Sequence, residues 1–152
     1  MKLSKQIAVF IVVLIITGLT VTSCDKSSTN AGIDAIYGTW NWLSSHFVMK
    51  IQGIVLIDST ESPGQGEYLH ITINEDGTWH SEEYSDNEKE TEDGTFVIKG
   101  DSVTFSIPEE EEPVTMHWQI NGDILTLDLN ITTEAEGGIV GTVDVVRTFK
   151  KM

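Results

Sequence analysis

Apolar and polar side chains alternate with a period of two over most of this 152-residue chain, and that rhythm belongs to β-strands. Val103, Phe105 and Ile107 alternate with Thr104 and Ser106, and Val114, Met116, Trp118 and Ile120 with Thr115, His117 and Gln119. Leu125, Leu127, Leu129 and Ile131 alternate with Thr126, Asp128 and Asn130. Only one turn around Ile33 to Tyr37 hints at a helical stripe. Past the N-terminal segment the chain reads as all-β.

Glycine-centred turns punctuate the runs. Asn121-Gly122-Asp123 and Lys99-Gly100-Asp101 each join two strands through a short hairpin, so sequence neighbours become sheet neighbours. At Asn74-Glu75-Asp76-Gly77, a three-residue loop with Gly77 left-handed places Ile73 opposite Trp79, Ile71 opposite Ser81 and Thr72 opposite His80. That register gathers Ile71, Ile73 and Trp79 on one face, whereas a four-residue loop scatters them over both. Strands are expected at about 36–44, 46–57, 67–73, 78–85, 94–99, 102–107, 113–121, 123–132 and 139–150. Loops are expected over 58–66 and 85–93. Eight to ten antiparallel strands in up-and-down order close most simply into a barrel, which removes their open edges; a sandwich wants longer crossovers.

The N-terminus has a different character. Lys2 and Lys5 precede ten apolar residues, Ile7 to Ile16, and Val21-Thr22-Ser23 leads to Cys24, the only cysteine. This resembles a secretory signal ending in a bacterial lipobox. The resemblance implies cleavage before Cys24, a diacylglycerol on its sulfur and an acyl chain, such as palmitate, on its amino group. As a spanning helix, Ile7 to Val21 covers only about 22 Å of a bilayer core of roughly 30 Å. As an ordinary signal, it leaves an unpaired thiol in an oxidising compartment. The expected organisation is a signal peptide over 1–23, a lipidated cysteine and flexible tether over 24–34, and a barrel domain over 35–152. The expected location is the bacterial cell envelope, at the periplasmic face or the cell surface.

Loss of Lys2 and Lys5 leaves seven basic residues against 24 acidic ones, a net charge of −17. No basic stripe exists to neutralise phosphates, which argues against nucleic acid. Anionic lipid repels such a surface, so attachment falls to the acyl chains. The domain is expected to be monomeric.

Gly38-Thr39-Trp40, then Glu75-Asp76-Gly77-Thr78-Trp79, Gly94-Thr95-Phe96, Gly122-Asp123-Ile124-Leu125 and finally Arg147-Thr148-Phe149-Lys150-Lys151 follow one another along the chain. Their order and spacing after a lipobox resemble those of the lipocalin-like domains of small bacterial lipoproteins. The resemblance implies a calycin-type barrel with Trp40 plugging one end and Arg147 packed over it as a structural pair. The chain departs from that pattern in having no disulfide pair and no clear C-terminal helix.

Signs of chemistry are few. No serine sits in a strained glycine elbow, and Glu109 to Glu112, between Pro108 and Pro113, reads as a solvated loop. An enzyme is therefore not expected, and no cofactor is called for. His70, His80 and Glu82 share a face in the register above and are the only candidates for a metal, though that face points outward. The barrel interior offers Phe47, Met49, Ile51, Ile71, Trp79, Phe105, Met116, Trp118 and Leu127 as candidate ligand contacts, with Val55 among further interior positions. An eight-stranded barrel is either filled by such side chains or holds one small ligand, and the sequence leaves both open. Two functions follow: a membrane-anchored barrel binding a small hydrophobic or amphipathic molecule, or a protein-interaction or inhibitor lipoprotein meeting a cationic partner through its acidic surface.

Overall fold

The computed structural model describes residues 32–108, 112–135 and 138–152. Among these residues nine strands form one antiparallel sheet: β1 (Gly38–Ile51), β2 (Ile54–Glu61), β3 (Tyr68–Ile73), β4 (Thr78–Ser85), β5 (Glu88–Lys99), β6 (Ser102–Ser106), β7 (Val114–Asn121), β8 (Ile124–Ala135) and β9 (Ile139–Lys151). Pairing of β1 with β9 along nearly its whole length closes the sheet. On its other edge β1 changes partner. Gly38 to Asn41 pair with β3, and Ser45 to Ile51 pair with β2. Eight strands, β1 and β3–β9, therefore make the closed barrel, with β2 laid against the far half of β1.

The hairpins follow the turn chemistry. Ile73 pairs with Trp79 and Thr72 with His80, and Gly77 is left-handed at φ 84°, as the bulged turn requires. The helical hint at Ile33 becomes one 3₁₀ turn, Ile33–Ala35.

Three expectations change. The apolar run 46–57 is not one strand: it folds back at Gln52-Gly53, both left-handed, which is the backbone a two-residue hairpin turn needs. Much of the expected 58–66 loop is consequently the second half of β2. Residues 85–93, read as a loop for their polarity, form the β4–β5 hairpin around left-handed Asp86 and Asn87. Asp and Asn tolerate that conformation, so no glycine marks the turn.

The core occupies the end of the barrel where β1 meets β3. Trp40, Ile71, Ile73, Trp79, Phe96, Val103, Phe105, Trp118, Ile120, Leu125, Leu127 and Phe149 are buried there, joined by Ile36 beneath the first strand. Trp79 meets Phe105 edge to face, with ring centroids 5.6 Å apart, an arrangement that aromatic quadrupoles favour. No described helix is long and apolar enough to cross a membrane.

Candidate functional site

The closed end is sealed by Trp40, whose indole N–H donates to the Ile36 carbonyl at 2.8 Å. The cation over its ring is Lys151, not Arg147. Lys151 Nζ lies 5.1 Å from the ring centroid and also donates to the Ala35 carbonyl. Register explains the correction: Trp40 pairs with Lys151, while Arg147 pairs with Ser45 and Leu127 four residues further along β9.

Five of the nine candidate ligand contacts belong to this filled end. Ile71, Trp79, Phe105, Trp118 and Leu127 are buried against one another, and Met116 packs on their margin. The other three lie beyond it. A register shift at Leu43 switches the inward-facing positions of β1 from Trp40 and Trp42 to Ser45, Phe47, Met49 and Ile51. Phe47 and Met49 are half-buried and Ile51 is exposed.

These three side chains form part of a continuous inner wall. Phe47 pairs with Val145 and Met49 with Val143; Val145 pairs in turn with Leu129, and Val143 with Ile131. On the opposite edge Met49 pairs with Ile57 and Ile51 with Ile54. Residues that pair across a ladder share a face, so nine apolar side chains from β2, β1, β9 and β8 line one surface. Leu129 and Val145, nearest the core, are buried, whereas Ile57 is 44% and Ile54 67% exposed at the far end. Val55, expected inside, is 51% exposed because the shift after Met49 pairs it with outward-facing Lys50.

Where the core stops and this wall begins, polar groups enter the interior. Glu83 shares a face with Leu69, and Glu61 with Ser45 and Arg147. The Arg147 guanidinium is driven below its ordinary pKa by burial, while Glu83 and Glu61 oppose that shift. Beside them a cavity of about 460 Å³ opens between the end of β2 and the β3–β4 pair. Glu61, Glu67, Glu83 and Asp86 supply its carboxylates, and Trp42, Tyr68 and Tyr84 its rings. Of these carboxylates, Glu67 accepts from the Gly64 N–H at 2.8 Å and Glu83 from the Ser85 hydroxyl at 3.3 Å.

The metal candidates are divided among other partners. His70 stacks on Tyr68 at 4.5 Å between centroids, His80 Nδ1 bonds Asp93 at 2.7 Å, and Glu82 accepts from Tyr68 and Lys89. The Lys89 ammonium and the Tyr68 hydroxyl hold the Glu82 carboxyl below the usual range. No group of three or more potential ligands comes together among the described residues. Cys24 lies outside the described residues.

Sequence reasoning missed the cavity. One signal was present: apolar positions in 40–51 move from even numbers (Trp40, Trp42) to odd ones (Phe47, Met49, Ile51), the mark of an extra residue in the strand. The partner exchange of β1, which opens the cavity, has no such mark. Scans of the sequence find no matching protein-family model and no matching curated protein.

Proposed function

We propose that this chain is a lipocalin-like lipoprotein of the bacterial cell envelope, tethered through acylated Cys24, whose barrel binds a small hydrophobic or amphipathic ligand without chemical conversion. The observation that carries this reading is the contrast along one inner face. The closed end is packed full, and the same face then continues as a row of apolar side chains open to solvent. Exposed, contiguous apolar surface of this kind marks binding sites in monomeric proteins. The neighbouring cavity falls in the size range of small-molecule sites, roughly 300–1,000 Å³.

The test has two arms. Mass spectrometry of the natively extracted protein is expected to show an acylated N-terminus at Cys24; mature material retaining residues 1–23 contradicts the anchor. Fluorescence of the neutral dye Nile red is expected to rise with the wild-type chain and to fall at least fivefold in Met49→Glu. Equal fluorescence from both proteins contradicts the site. The alternative reading, a cationic protein partner held by the acidic surface, predicts salt-sensitive capture that Met49→Glu leaves intact.

A further inference from the structure

The apolar wall states what the body of a ligand is made of, and the groups at its base state the sign of its head. Resting on the proposed binding reading, we infer that the ligand is an organic cation, with an ammonium or guanidinium head seated among Glu61, Glu67, Glu83 and Asp86 and an apolar body laid along Phe47, Met49 and the wall above them.

Continuity comes from the register. Glu61 stands in the cross-strand row of Ser45, and the next rows on the same face are Phe47–Ser59 and Met49–Ile57. Ser45 is short, and its partner on β9, Arg147, is the large side chain of that row. One further row, Ile51–Ile54, completes the face, which runs about 20 Å from Ser45 to Ile51 at ~3.4 Å per residue.

The charge balance is one-sided. The cavity lining includes four carboxylates and no basic side chain, with the rings of Trp42 and Tyr84 in reach of the same space. Aromatic faces attract cations, by about 0.5–2 kcal/mol each according to exposure. Arg147 is the inward-facing basic group at this level, and both Glu61 and Glu83 act on it. Against that one guanidinium the cavity sets Glu61 and Glu83, and then Glu67 and Asp86. On the adjoining strand, Glu88, Glu90 and Glu92 of β5 stand in register with Ser85, Glu83 and Ser81. An anionic head entering here meets the like charge of the lining carboxylates, whereas a cation is drawn in by the field of a chain with net charge −15.

Titration calorimetry on the full chain in a neutral maltoside detergent tests the inference with three probes sharing one tail: hexyltrimethylammonium, hexanol and hexanoate. Hexyltrimethylammonium is expected to bind at least tenfold more tightly than hexanol, and hexanoate more weakly than both. The double variant Glu61→Gln/Glu83→Gln is expected to remove at least tenfold of the cation's affinity while leaving hexanol unchanged. Glu134→Gln, one carboxylate fewer on the outer face, is expected to leave all three unchanged. Hexanoate or hexanol binding as well as the cation, or a double variant that retains cation affinity, overturns the cationic head and leaves the apolar site standing. Failure of all three probes overturns the binding reading itself.

Discussion

Replacing Gly94 with alanine separates the packing described above from the ordinary behaviour of a strand. In an unconstrained strand, Gly→Ala stabilises by about 0.5–1 kcal/mol because the unfolded chain loses freedom. Gly94 is opposite Trp79, and the indole lies across the space its side chain would fill. A Cβ at this position falls 2.5 Å from Trp79 Nε1 and 2.9 Å from its Cε2, and closer still to the Ser106 carbonyl oxygen. Ordinary contact begins near 3.4 Å. The indole is buried and meets Phe105 edge to face, and Ser106 is held by the ladder to Thr95, so neither neighbour shifts freely. Overpacking of this kind costs about 1–3 kcal/mol, which outweighs the entropic gain and reverses the sign. Urea unfolding of the full chain is therefore expected to show a lower midpoint for Gly94→Ala with an unchanged slope. A midpoint equal to or above that of wild type refutes the packing of Trp79 over Gly94.

Lys151→Met is expected to cost about 0.5–1 kcal/mol through loss of the cation over Trp40, read as a lower urea midpoint; an unchanged midpoint assigns that contact no energy. Asn87→Gly is expected to stabilise by about 0.5 kcal/mol, since glycine adopts the left-handed conformation of this turn more readily; thermal unfolding reads it as a rise of a few degrees. Asp76 accepts hydrogen bonds from the Thr78 hydroxyl and backbone N–H, which hold its carboxyl below the usual range. Its contribution is present above the ordinary carboxylate pKa and is lost as pH falls through the lowered value. Asp76→Ala is accordingly expected to destabilise at pH 7 and to converge on wild type near pH 2, with urea midpoints at both values as the check.

Legibility in the sequence followed the strength of the local signal. The Asn74–Gly77 turn and its register were readable to the residue, because glycine identity and apolar parity pointed to the same pairing. Closure into a barrel followed from the succession of short hairpins. Arg147 was misplaced because two basic positions near the C-terminus, Arg147 and Lys151, both suit the inner face of β9, and only the shift at Leu43 decides which one meets Trp40. The β4–β5 hairpin was hidden because most of 86–93 is exposed and carries no apolar alternation. The division of the interior into a filled end and an open wall depends on strand lengths and on the partner exchange of β1. Those are tertiary facts with no local mark in the sequence.

The division of the barrel is tested most directly by backbone amide NMR of the full chain during addition of hexanol. Shift changes are expected at Phe47, Met49, Ile57, Val143 and Val145, with Leu125, Trp118 and Phe149 still at saturation. Changes centred on those three core residues, or none anywhere on the inner face, contradict it.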